Sequence, residues 1–304
     1  MAINITKRNP TAEEKEVRVI TGLQSFDWAF ADNLGNRGLP LRSFFEIAGS
    51  KGVGKSTVMF SLAGIVAKQL KRDILLLDFE RQNESTVSSC LEGAGFSGDV
   101  DWTTFVWEEG KKKKSMTSEE ILDLSTSRAY EPLPPIMMVD SIAAWRPTST
   151  YEGDLGAANM GTKAKILRQW FDRTLKPVIS NPEPTVVFFT NHKMQIIGGF
   201  RPGPNAPVPT ESAGGTAVGY FATQSIDLRK VFGHDYPEQG GWVAEGKVSK
   251  NRDGYGIESK KSFYLYVQAG EGINKNLTAV IDCVMYGLAE SSGKNVTEGA
   301  TISM

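Results

Sequence analysis

Residues 49 to 57 read Gly49-Ser50-Lys51-Gly52-Val53-Gly54-Lys55-Ser56-Thr57, and the segments on either side differ in character. Ahead lies Phe44-Phe45-Glu46-Ile47-Ala48, short and apolar; behind lies Met59-Phe60-Ser61-Leu62-Ala63, the start of a helical pattern. A strand that passes through a glycine loop into a helix leaves few folds open. The glycines supply backbone conformations closed to other residues, and the free N–H groups at the helix start make a cradle for a polyphosphate. The spacing is a complete G-x-x-x-x-G-K-[ST] loop in the strand-to-helix context that the motif requires. Lys55 is expected to reach the β- and γ-phosphates of a nucleoside triphosphate, and the Ser56 hydroxyl to take a place on Mg²⁺.

The rest of the chain agrees with that start. Short apolar runs recur at 43–48, 74–78, 103–107, 135–139 and 185–190, each too short for a helix and suited to a strand buried on both faces. Helical patterns fall between them at about 55–70, 83–93, 117–128 and 161–176. This alternation predicts an α/β fold, a twisted and mainly parallel sheet with helices on both faces. Strand-like segments near 224–230, 243–249 and 261–267 predict an antiparallel extension. The domain boundaries read as a short N-terminal segment (1–17), a core (18–290) and a polar tail (291–304). A Gly- and Pro-rich stretch over 192–213 has no periodicity and reads as a functional loop. The Lys111–Lys114 run reads as solvated surface.

With 304 residues and a net charge of −1, the chain has no overall basic field, so a polyanion partner requires a local patch. Two cysteines, Cys90 and Cys283, make neither a disulfide nor a zinc framework. Without an apolar leader or a membrane-length span, a cytoplasmic protein with reduced thiols is expected.

Phosphate chemistry needs an acid near Mg²⁺ and a group that orients the attacking water. Pro135-Ile136-Met137-Met138-Val139-Asp140 supplies the first, an apolar strand ending in Asp140 where ligands bind in open sheets. Asp73-Ile74-Leu75-Leu76-Leu77-Asp78-Phe79-Glu80 supplies the second, with Glu80 as general base. The competing reading, that Asp78 or Glu80 caps the next helix, stays open. The strand at 185–190 leads into Asn191-His192, where a polar side chain could sense the γ-phosphate and signal into the following loop. In that loop, Phe200 beside Arg201 could stack on bases.

Taken in order, these residues resemble the RecA family of homologous-recombination ATPases over roughly residues 18–290. Ile20-Thr21-Gly22 with Phe26-Asp27 and Gly38-Leu39-Pro40 resembles the family's approach to the phosphate loop, and Asp140-Ser141-Ile142-Ala143-Ala144 matches its aspartate-serine signature closely. Gly153-Asp154 with Met160-Gly161 resembles a first DNA-binding loop, Gly214-Gly215-Thr216-Ala217 the end of a second, and Gly270-Glu271-Gly272-Ile273 a late family motif.

The resemblance implies a DNA-dependent ATPase that forms a helical filament on single-stranded DNA and pairs it with duplex DNA, with ATP and Mg²⁺ held between protomers. Gly49 to Thr57 would bind ATP, Ser56 and Asp140 the metal, and Glu80 would be the catalytic carboxylate. Met160 and Ile196 would lie against base steps, with Lys165, Arg168 and Lys193 on phosphates. Lys250 and Arg252 would reach a neighbour's ATP in trans. A single-strand-binding protein or loader would be an accessory partner.

Asn191-His192, where bacterial members carry glutamine, and Gly214-Gly215-Thr216 are more similar to a phage-encoded branch, which would place the protein in a bacterial host's cytoplasm. The aromatic residue that stacks on adenine has no counterpart, and Val87 falls near its place. The N-terminal module reads as reduced to about seventeen residues, and a C-terminal domain reads as absent. A ring-forming helicase or branch-migration motor and a non-catalytic ATP-gated mediator are the alternative readings.

Overall fold

The computed structural model describes residues 17–104, 106–109, 112–149, 161–195, 210–212, 215–236, 240–252 and 262–288. In chain order the elements begin with β1 (Arg18–Val19), α1 (Gln24–Ala29), β2 (Leu39–Pro40), β3 (Ser43–Gly49), α2 (Lys55–Leu70), β4 (Ile74–Asp78) and α3 (Glu84–Gly93). Next come β5 (Val100–Thr104), β6 (Val106–Glu109), β7 (Lys112–Ser115), α4 (Ser118–Ala129), β8 (Ile136–Asp140), α5 (Thr162–Ser180) and β9 (Val186–Gln195). The last are β10 (Thr210–Ser212), α6 (Gly215–Phe221), β11 (Gln224–Tyr236), β12 (Gly241–Asn251), β13 (Ser262–Gln268), β14 (Gly272–Ile273) and α7 (Lys275–Met285).

Ten strands form one mixed sheet in the order β14-β13-β12-β11-β3-β9-β8-β4-β5, with β10 added antiparallel to β9. From β11 to β5 every neighbouring pair is parallel, and β11, β12, β13 and β14 pair antiparallel. The expected α/β architecture and its antiparallel extension are both present.

Strand periodicity explains the continuous apolar runs. Successive side chains point to opposite faces. Phe45, Ile47, Ile74, Leu76, Ile136, Met138, Val186 and Phe188 pack with α2 and α3 on one face. Phe44, Leu75, Leu77, Met137, Val139, Val187 and Phe189 pack with α4, α5 and α6 on the other. With both faces covered, every residue of β3, β4 and β8 is buried. Helix starts follow local chemistry: a Thr117–Glu120 capping box begins α4, and Asn83 and Asn274 side chains cap α3 and α7.

The sequence expectations miss where burial weakens. The run at 103–107 is split between β5 and β6, because β5 is a half-buried sheet edge without a full apolar pattern. Part of the lysine run has a regular backbone. Residues 112–115 pair with β6, in a register that sets Glu108 opposite Lys113 and Glu109 opposite Lys112. The strand expected at 185–190 continues to Gln195, carried past the core by pairing with β10.

Candidate functional site

Parallel register collects the candidate groups at one sheet end. Gly49 at the end of β3 pairs with His192 of β9, and Asp78 of β4 pairs with Asp140 of β8. The expected positions therefore converge where β3, β9, β8 and β4 point their carboxyl ends.

The loop from Gly49 to Thr57 leads into α2 through Gly54, whose φ of 93° lies in the left-handed region. A side chain there would also collide, since an added Cβ would sit 2.9 Å from Trp242 Cζ2. Trp242 braces the loop from β12 and donates its indole N–H to the Val53 carbonyl at 3.4 Å. Lys55 is 7% exposed and donates to the Ser50 carbonyl at 2.9 Å, folded back across its own loop. Burial pulls the Lys55 ammonium below its ordinary pKa, partly offset by Glu80 and Asp140.

Asp140 is 1% exposed. The Gln82 amide donates to its Oδ2 at 2.8 Å, and the Thr190 hydroxyl donates to its Oδ1. Burial pushes its pKa up to about 6; Thr190 and Ser56 bonds pull it down, while the charges of Glu80 and Asp78 push it further up. The peptide from Asp140 to Ser141 is cis.

The two carboxylates of the neighbouring strand have different jobs. Asp78 accepts from the backbone N–H groups of Glu80 at 3.0 Å and Gln82 at 2.7 Å, and from the Trp102 indole at 3.2 Å. It shapes the loop after β4, while Asn83 caps α3. Glu80 faces the site. It accepts from the Ser141 hydroxyl and lies 3.3 Å from His192 Nε2. Gln82 and Thr190 were missed by sequence reading, because a single hydroxyl or amide beside an acidic residue carries no spacing signal; Ser141 stands in the aspartate-serine signature, which does not reveal its bond to Glu80.

Asn191 requires a correction. Along β9 it follows Val187 and Phe189 and so lies on the face opposite Asp140. Its amide donates to Glu46 Oε1 at 2.8 Å, and the Ser225 hydroxyl donates to Glu46 Oε2 at 2.9 Å. Asn191 is wholly buried in that cluster. His192, one residue on, lies on the other face beside Glu80. Val87 is also turned away, buried at 2% exposure in the core against α2.

Of the expected DNA-contacting residues, Met160, Ile196, Arg201 and Gly214 lie outside the described residues. Gly161 ends that first loop with φ of 87° and begins α5, whose Lys165 and Arg168 are exposed. Gly215 opens α6. Lys193 pairs with Asp227 at 2.5 Å, so its charge is already compensated.

Lys250 and Arg252 are not at this chain's own phosphate loop. Lys250 stands opposite Ser225, which stands opposite Glu46. That is three residues before Gly49, about 10 Å back along the strand direction. Lys250 Nζ donates to the Gly219 and Tyr220 carbonyls at 2.8 and 3.2 Å, and Arg252 Nη2 to that of Tyr220 at 3.2 Å. Both hold the carboxyl end of α6, where helix carbonyls favour cations. Burial, then Arg252, lowers the Lys250 pKa, and Glu46 raises it.

A glycine loop at a sheet's carboxyl end, a lysine behind it, Asp140 at the end of one strand and Glu80 just past the end of the adjacent one form the arrangement of a P-loop protein. The family model for the RecA N-terminal domain matches residues 111–273. The chain is 28% identical over 284 residues to the Protein RecA of Syntrophus aciditrophicus, covering 92% of this chain and 74% of that protein. It is 27% identical over 263 residues to the Protein RecA of Ruegeria pomeroyi, covering 86% and 69% respectively. The chain belongs to the RecA N-terminal domain family. Among the described residues, no helix is long and apolar enough to cross a membrane.

Proposed function

We propose that this protein is a DNA-dependent ATPase that assembles on single-stranded DNA and promotes its pairing and strand exchange with homologous duplex. The observation that carries the reading is the convergence of Lys55, Glu80, Asp140 and His192 on one sheet end, within a chain of RecA-family sequence. Lys55 and the loop amides bind and orient the β- and γ-phosphates. Glu80, aligned by Ser141 and His192, accepts a proton from the attacking water.

The donor set fits Mg²⁺. A buried carboxylate with its pKa already raised among neighbouring acids favours a nearby cation, and Ser56 and Asp140 offer only oxygen. No group of three or more metal-binding side chains exists among the described residues, as expected where water and phosphates supply most ligands. Ser56 and Asp140 would hold the ion, which would neutralise charge developing on the phosphates.

Lys250 and Arg252 complete the site of a neighbouring protomer. Their register away from their own phosphate loop supports this, and so does their family-like Val248-Ser249-Lys250-Asn251-Arg252 context. Assembly and hydrolysis are thereby coupled, as with an arginine finger supplied in trans.

The test combines ATPase assays with and without single-stranded DNA, strand exchange on homologous and non-homologous duplex, and electron microscopy of the ATP-bound complex. DNA-stimulated hydrolysis, filaments and homology-dependent exchange are expected. Rings in place of filaments would point to a motor. Filaments or DNA binding without hydrolysis and exchange would point to a mediator, and either outcome overturns the proposal.

A further inference from the structure

Two cations outside the nucleotide site share one acceptor. Lys163, on the first turn of α5, donates to the Ala143 carbonyl at 2.9 Å. Arg146 Nη1 donates to the same carbonyl at 2.5 Å and to that of Trp145 at 2.9 Å. The two positive groups thus converge on a single neutral oxygen. No carboxylate pairs with either among the described residues, and Glu119, which reaches this segment, is taken by the Thr148 N–H and hydroxyl. Lys163 is half-buried. Its burial and then the repulsion from Arg146 push its pKa down to about 8.

Two adjacent cations, one of them partly desolvated, are costly without a counter-charge. The surroundings do not reduce that cost, since the first turn of α5 carries no acidic residue and no side-chain cap. An anion with several oxygens would resolve it. A guanidinium fork and an ammonium point charge both match phosphate oxygens.

We propose that Lys163 and Arg146 form an anion site for a backbone phosphate of single-stranded DNA. The site rests on the DNA-binding reading above and adds to it two residues that neither motif nor spacing selects. Its position gives it a consequence. Ala143 belongs to the turn whose first residue, Ser141, donates to Glu80. A phosphate that draws both cations off the Ala143 carbonyl therefore acts on the segment that orients the catalytic carboxylate.

The test is a salt titration of labelled oligo-dT binding by fluorescence anisotropy, with a non-hydrolysable ATP analogue present. Each lost phosphate contact should reduce the slope of log K against log salt by about 0.7 for single strands. Lys163→Gln with Arg146→Gln should therefore lower it by about 1.4, while Lys163→Arg keeps the wild-type slope. Arg146 is exposed, so Arg146→Gln alone remains an informative variant if the double variant does not fold. A purely structural role would lower the thermal midpoint and leave the slope unchanged, which overturns the proposal.

Acylation of lysines, read by mass spectrometry, separates the sources of phosphate. Oligo-dT should protect Lys163, whereas inorganic phosphate at matched ionic strength should protect it weakly or not at all. Protection by inorganic phosphate without protection by oligo-dT would remove DNA as the ligand. Absence of oligo-dT binding by the wild-type protein would defeat the DNA reading itself and the site with it. Normal binding with unchanged slopes in the variants would defeat the site alone.

Discussion

Asn191 and His192 are neighbours in sequence with opposite expected phenotypes. The Asn191 amide lies 2.8 Å from Glu46 Oε1, with the pair 0% and 5% exposed. Asn191→Ala removes a side-chain donor from the Glu46 carboxylate, which keeps the Ser225 hydroxyl. A hydrogen bond to a charged group contributes about 1.5–3 kcal/mol, and a buried acceptor left short of donors carries its desolvation cost. A loss of about 2 kcal/mol corresponds to a fall of roughly 3–4 °C in melting midpoint for a domain of this size. His192 is half-exposed and makes one 3.3 Å contact to Glu80, so His192→Ala should leave the midpoint nearly unchanged. Its effect should fall on turnover, by about 10²-fold or more if Glu80 is the general base and the imidazole helps align it. Scanning fluorimetry and DNA-stimulated ATP hydrolysis below both midpoints would measure the two variants side by side. An Asn191→Ala protein that melts like wild type yet loses turnover, beside a His192→Ala protein with normal turnover, would falsify the assignment.

That reversal marks where sequence reading stops. That the phosphate loop, Asp140 and Glu80 share one sheet end was legible because each ends or follows a buried strand, and burial on both faces writes an unbroken apolar run into the sequence. Those runs also set the positions along each strand, so they place a group at the correct sheet end. They do not say which face a polar residue takes beyond the core, because an apolar run on both faces hides its own period. Val187 and Phe189 pack with α5, and the strand's alternation carries Asn191 to that same side. Asp78 was ambiguous for a related reason. A carboxylate at a strand end can serve a ligand or its own loop, and only its bonds to the Glu80 and Gln82 N–H groups decide. Lys163 and Arg146 were invisible for want of a motif. They are seventeen positions apart in the sequence and meet only because α5 returns past the end of β8.

Glu80→Gln should bind ATP and single-stranded DNA while losing about 10²- to 10⁴-fold in turnover, measured by phosphate release; undiminished hydrolysis would remove Glu80 from the chemistry. Lys250→Ala with Arg252→Ala should bind nucleotide normally and lose about 10³-fold or more of DNA-stimulated hydrolysis. Since the register holds this pair about 10 Å behind its own phosphate loop, the two defects should complement one another. A protomer with intact Glu80 but no basic pair can be served by a neighbour carrying Glu80→Gln and an intact pair. In an equal mixture assembled head to tail at random, roughly a quarter of interfaces unite both intact halves. Neither variant alone has such an interface. Mixing the two inactive proteins should therefore restore roughly a quarter of wild-type hydrolysis, and only when single-stranded DNA is present. If the mixture stays inactive although electron microscopy shows mixed assemblies, Lys250 and Arg252 do not act across the interface. Their bonds to the Gly219 and Tyr220 carbonyls would then be their function, as the anchor that holds the end of α6.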